Sequence, residues 1–111
     1  YGARAEVKFV ASGAVTWNDP ALSRSVFSAL EEAAGAGKVD MNRRPTTVSE
    51  DFSAYQKRIP GVFYHMGASA AGTDPEASAP NHSPQFDVNE AVLPVGVRAH
   101  VLTALRWLEA R

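Results

Sequence analysis

The sequence predicts an α/β layer structure in which helices cover a sheet. Three observations predict it: apolar and charged residues alternate near the start, two later segments carry apolar residues at helical spacing, and a short apolar run ending in glycine lies between them. The resulting order is strand, helix, short helix, strand, loop, long helix.

Ala3, Ala5, Val7, Phe9 and Ala11 share one parity, and Arg4, Glu6 and Lys8 share the other. A period of two puts these sets on opposite faces of a strand, one covered and one wet, as in an antiparallel or edge strand. Gly13 and the run TWNDP (16–20) break it, and Asp19 followed by Pro20 predicts an N-cap and first helical residue. Leu22, Val26, Phe27, Leu30 and Ala33 recur on one helical face, Arg24, Glu31 and Glu32 are left to water, and Gly35 and Gly37 stop the helix.

The signal from Lys38 to Arg44 is poor, with a short strand predicted at Val39 to Asn42. Thr47 and Glu50 have the spacing of a capping box, and Phe52, Tyr55 and Ile59 share one side of the short helix behind it, which Pro60 and Gly61 end. The run VFYHMG, Val62 to Gly67, predicts a buried strand entering a turn. The long segment ASAAGTDPEASAPNHSP (68–84) has no apolar period, and lining a site is one reason for such a loop in a compact domain. A final helix is predicted from about Asn89, with Pro94 near its beginning and Leu93, Val97, Val101, Ala104, Leu105 and Leu108 as its apolar stripe.

With 111 residues the chain has room for one domain at most and a modest core. A formal net charge of -1, from 11 Lys plus Arg against 12 Asp plus Glu, gives no basic field for a run of phosphates and argues against nucleic acid. The absence of Cys removes a disulfide framework, a Cys nucleophile and a thiolate metal site from this segment. No run of 18 apolar residues is read in it, so no membrane span is expected. The opening YGARAEVKFVASG, without Met or basic leader, reads as the middle of a strand, and an upstream portion is expected to be missing.

His82, in the run SAPNHSPQFDVNE, places an imidazole in a Pro- and Ser-rich loop directly ahead of a capped helix, a support on which a metal ligand can be presented. A hydrolytic site normally takes three or more protein ligands, so the others, and the base that activates water, are expected outside this chain. The bland alternative is an ordinary loop histidine. His65 in its apolar run and His100 beside the apolar face of the last helix are read as hydrogen-bonded structural histidines. Capping accounts for Glu50, and the helix dipole for Asp51. Yet Ser49, Glu50 and Asp51 gather two carboxylates and a hydroxyl at one helix start, where a carboxylate can orient a ligand imidazole. Arg43 and Arg44 are read as exposed solubility charges, with a substrate carboxylate as the alternative. Asn81, His82 and Ser83 match a glycosylation sequon that Pro84 weakens. No phosphate loop, dinucleotide fingerprint, GxSxG elbow or paired-His helix motif is present.

The segments TWNDPALS, SEDFSAYQKRIPGVFYHMG and HSPQFDVNEAVLPVGVRAHVLTALRWL closely resemble the C-terminal third of the M20 family of metallopeptidases and amidohydrolases. The branch resembled contains hippurate hydrolases, N-acyl-amino-acid amidohydrolases and the hydrolases that release auxins from amino acid conjugates. The resemblance covers nearly the whole chain, and the motifs together are far more specific than any one of them.

The resemblance implies a three-layer α/β/α metallohydrolase catalytic domain interrupted by a smaller lid that commonly mediates dimerisation. Residues 1–15 then match the last strand and exit of the lid, and residues 16–111 the C-terminal part of the catalytic domain. It further implies two divalent ions per full-length subunit, zinc or else manganese, nickel or cobalt. By motif His82 matches the last histidine ligand, and the bridging ligand and general base have no counterpart here. Glu50 and Asp51 of SEDF match residues supporting the substrate pocket or the ligand shell, and Gly67 matches a glycine-rich turn at the pocket. His65 departs from the hydrophobic or aromatic residue usual there, and Asn18 and Asp19 fix the junction where the chain re-enters the catalytic domain.

The reaction so implied is hydrolysis of the amide bond of an N-acyl amino acid or small peptide by a cytoplasmic homo-oligomer, with neither nucleic acid nor membrane as partner. The isolated segment, parted from the upstream part of the same protein, is expected to be inactive. The competing expectations are an inert truncation, or a binding or interface module with no metal site of its own that pairs through its edge strand.

Overall fold

Helix α1 (Pro20–Ala34) starts where the Asp-Pro pair predicts. Asp19 Oδ1 accepts from the Leu22 N–H at 2.8 Å, and Pro20, with no N–H to leave unpaired, occupies the first turn. At the other end Gly35 (φ 102°) donates to Glu31 O at 2.8 Å, and Gly37 (φ 70°) donates to the Glu31 carboxylate at 3.1 Å. These left-handed values favour glycine, so the paired glycines both stop the helix and turn the chain. Two more helices follow in this computed structural model, which describes residues 1–10, 13–48 and 50–110: α2 (Phe52–Gln56) and α3 (Leu93–Glu109). Single 3-10 turns lie at Pro75–Ala77 and Glu90–Val92.

The core lies between α1 and α3. Val26, Leu30 and Ala33 of α1 are buried against Ala99 of α3, with Leu22, Val39, Val62, Tyr64 and Leu102 packed around them. Arg98 and Arg106 of α3 both pair with Glu32 of α1 at the edge of this contact. The three side chains are two-fifths exposed or more, so the pairs fix register more than they add stability.

The sheet of the expected α/β fold does not form, because no strand occurs among the described residues. Alternation sets a side-chain pattern, but a strand exists only through a ladder to a neighbour. Residues 1–10 are exposed on both parities, with Val7 at 87% and Phe9 at 90%, so the face expected to be covered has no cover; Ala11 lies outside the described residues. Val39 to Asn42 and Val62 to Gly67 carry no ladder either. Val62, Phe63 and Tyr64 are half-buried, while His65, Met66 and Gly67 are exposed.

Two local expectations also change. The capping box at Thr47 and Glu50 does not form: α2 begins at Phe52 with Asp51 as N-cap, and Glu50 Oε1 accepts the Phe52 N–H at 3.3 Å. The helix thus starts too late for Thr47 to reach it. On α3, the stripe Leu93, Val97, Val101, Leu105 and Leu108 is about half exposed or more, and the buried face is instead the one through Ala99 and Leu102. The helix is apolar on two faces, and periodicity does not tell which one meets α1. With its 3-10 lead-in, the stretch Glu90–Glu109 reaches a mean hydropathy of 1.2 over 18 residues, although Arg98 and Arg106 interrupt its apolar residues. Length and composition carry no more than that, since an apolar helix of a protein interior has the same signature.

Candidate functional site

The four candidate site residues fall on three supports. Glu50 and Asp51 stand at the start of α2, Gly67 ends the apolar run, and His82 lies in the loop between that run and α3. All four are exposed. Ser49, grouped with the two carboxylates in the sequence reading, lies outside the described residues.

Helix α2 is only five residues long, too short to hold itself, and is seated by its neighbours. Ser53 is buried, and the Phe52 ring lies 5.5 Å from that of Phe63 and 6.0 Å from that of Tyr55. A β-carbon on Gly61 would stand 3.1 Å from the Phe52 ring and 3.2 Å from Gln56 Cγ, so a larger residue there requires these side chains to shift by a few tenths of an ångström. A concavity of about 310 Å³ runs beside α2, lined by Asp51, Ser53, Tyr55 and Lys57 and by Gly13 and Ala14. Asp51 lines this open depression, and Glu50 and Gly67 do not.

Two side-chain amides tie α2 to the segments on either side. Asn18 donates through Nδ2 to Phe63 O at 2.7 Å and accepts the Phe63 N–H on Oδ1 at 2.7 Å. The amide thereby takes both backbone groups that a neighbouring strand would otherwise bond. Gln56 accepts the Trp17 N–H on Oε1 at 2.9 Å, and its Nε2 donates to Gly61 O at 3.1 Å and, more weakly, to Asn18 Oδ1 at 3.4 Å. Periodicity gave no sign of Gln56. Asn18 is singled out only through the family resemblance, as a residue fixing the junction, and not for a bond to Phe63.

The loop after Gly67 is closed at its base, where the Asn89 N–H donates to Ala68 O at 2.8 Å. Asn89 caps the following 3-10 turn by accepting from the Ala91 N–H at 3.1 Å, so the predicted helix start is found at that residue. Within the loop His82 has φ 69°, the only left-handed value at a non-glycine among the described residues. The turn is closed by the Ser83 N–H donating to Pro80 O at 3.2 Å. Left-handed backbone is uncommon for a residue with a β-carbon, and such outliers concentrate at functional sites. The imidazole stands on an exposed corner as a free donor set of one. Among the described residues no group of three or more His, Cys, Asp or Glu converges, so His82 has no second ligand beside it there.

The other histidines are structural in different ways. His100 Nδ1 lies 3.3 Å from the Tyr64 hydroxyl with the rings 5.6 Å apart, joining the apolar run to α3 as a hydrogen-bonded histidine is expected to do. Burial pushes the Tyr64 hydroxyl above its ordinary pKa. His65 is exposed and meets Phe63 edge-on at 5.3 Å, so its contact is a ring contact rather than the hydrogen bond expected of it.

Residues 3–106 match the family described as Peptidase family M20/M25/M40. The chain is 39% identical over 93 residues to the IAA-amino acid hydrolase ILR1-like 4 of Arabidopsis thaliana, covering 84% of this chain and 20% of the relative. It is 32% identical over 108 residues to thermostable carboxypeptidase 2 of Saccharolobus solfataricus, covering 96% and 26%, respectively. Identity to the N-acetylcysteine deacetylase of Bacillus subtilis is 34% over 109 residues, 98% of this chain and 26% of that one. The chain thus spans about a fifth to a quarter of the length of these relatives. No solved structure matches it.

Proposed function

Because the chain belongs to peptidase family M20/M25/M40, we propose that it is the C-terminal part of a metal-dependent amidohydrolase that cleaves the amide bond of N-acyl amino acids or small peptides. The observation that carries this reading is the match over residues 3–106, which takes in the hinge, the SEDF run and the His82 loop in one order. The names of the relatives, an amino acid conjugate hydrolase, a carboxypeptidase and a deacetylase, support amide cleavage next to an amino acid as the shared chemistry.

In this reading His82 is one imidazole ligand, presented on an exposed left-handed turn. Divalent ions held in such a site lower the pKa of a bound water and polarise an amide carbonyl. The remaining ligands and the general base come from outside this chain. Asp51 and Glu50 border the substrate pocket or support the ligand shell from the start of α2, and Gly67, with no side chain, lets substrate approach the backbone. Imidazole ligation favours zinc, with manganese, nickel or cobalt as the other occupants, two per full-length subunit.

Residues 1–15 are proposed as the last strand and exit of the lid and residues 16–111 as part of a three-layer catalytic domain. Their partner strands would then come from the rest of the protein, which forms a homo-oligomer through the lid. A second reading, a binding or interface module with no metal site of its own, draws on the exposed stripe of α3. Offering N-acetyl, N-benzoyl and dipeptide substrates to the complete protein, alongside metal analysis, separates the two. The hydrolase reading expects amino acid release and bound divalent metal, and finding neither after zinc and manganese have been supplied rejects it.

A further inference from the structure

We propose that Asn18 and Gln56 are positioning residues of the hydrolytic site, a paired-amide clasp that fixes the end of the short helix α2 against the segment leading to Gly67. The inference rests on the reading above that Asp51, Glu50 and Gly67 border the substrate pocket. Its observations are independent of that reading. Asn18 bonds both backbone groups of Phe63 at 2.7 Å, although the two residues are 45 positions apart. Gln56, on the last turn of α2, bonds Trp17 on one side and Gly61 on the other.

The arrangement leaves little freedom. Phe63 offers one donor and one acceptor to Asn18, so the orientation of the Asn18 amide is determined, and its oxygen in turn accepts from Gln56. Both side chains are half-buried, where replacing a donor by an acceptor leaves a carbonyl facing a carboxylate. Phe63 and Gly67 are four positions apart, and Gln56 and Asp51 five. A shift at the clasp therefore reaches both sides of the pocket within one or two turns of chain. Pocket residues held this way depend on their support for placement, as ligands depend on the groups behind them.

The test uses the isosteric variants Asn18→Asp and Gln56→Glu in the complete protein, with activity normalised to folded, metal-loaded enzyme. Asn18→Asp at neutral pH has no donor for Phe63 O. Protonating the new carboxyl, whose charged form the facing Phe63 carbonyl disfavours, restores one, so the variant's KM relative to wild type is expected to be raised tenfold or more at pH 8 and to fall towards wild type as the pH is lowered through the pKa of that carboxyl. Metal content stays at the wild-type level. Gln56→Glu is expected to raise KM in the same direction.

Two results overturn the proposal in distinguishable ways. If the wild type hydrolyses N-acyl amino acids and both variants keep its KM at every pH, whatever they lose in stability, the clasp is scaffold only. If the wild type hydrolyses none of these amides, the reading of the site fails and its positioning residues with it. In that case the pH-dependent protection of the Phe63 amide in Asn18→Asp still reports whether the hydrogen bonds exist.

Discussion

At His82 the backbone takes a conformation, φ 69°, in which a β-carbon crowds the neighbouring carbonyl at a cost of roughly 1–2 kcal/mol. His82→Gly removes both the cost and the imidazole. Thermal unfolding of this variant is expected to show stability equal to or about 1 kcal/mol above wild type, while bound metal falls. A loss of stability would mean that the ring packs for structure rather than standing ready as a ligand. Asp19→Ala removes the one side-chain acceptor at the start of α1 and is expected to lower stability by about 1 kcal/mol, read from a denaturant midpoint. Asp19 was legible in the sequence because a cap is a local device, specified by neighbouring residues. Glu50 was legible only in part: it does accept a helix N–H, but from Phe52, because α2 begins later than the Thr47 spacing implies. His82 was legible as a position and not as a conformation, since nothing local in NHSP specifies a left-handed histidine.

Among the elements, α1 followed its pattern and α3 did not. The i, i+4 spacing of Leu22, Val26 and Leu30 leads to the buried face because the opposite face of α1 is charged. Leu30→Ala, at the centre of that face, is expected to cost about 2–4 kcal/mol in chemical denaturation. Glu32→Ala, which releases both arginines of α3, is expected to cost less than about 1 kcal/mol and to matter less as salt is raised. The partial burial of Tyr64 adds a pH dependence. Burial raises the folded-state pKa of Tyr64 above its ordinary 10.0, so the unfolded chain loses this proton first. The contribution is full below pH 10 and is lost as pH rises through the higher folded value. Stability measured from pH 9 to 11.5 is expected to fall more steeply for wild type than for Tyr64→Phe, and parallel curves would remove this contribution. The clasp at Phe63 was not legible at this scale, because it joins side chains to a backbone 45 residues away and leaves no period in the sequence.

Over the whole molecule, the radius of gyration is 18.1 Å and the extents are 65 × 38 × 21 Å, whereas a compact domain of this length has a radius of about 13 Å. The alternating residues 1–10 and the outer stripe of α3 are the sequence features that predicted layers, and both lie open. Their patterns describe which surfaces are built to be covered, and a pattern is legible without the partner that covers it. The 111-residue chain by itself is expected to bind a hydrophobic dye and to associate with rising concentration in sedimentation velocity. The central claim is that His82 is one ligand of a divalent metal site completed by the rest of an amidohydrolase. The most direct test is the metal-to-protein ratio of the complete protein, wild type beside His82→Ala, after equilibration with zinc and removal of loosely held ions. The account predicts bound metal in the wild type, and a clear reduction in a variant that remains folded. Equal metal content in the two, or none in either, would contradict it.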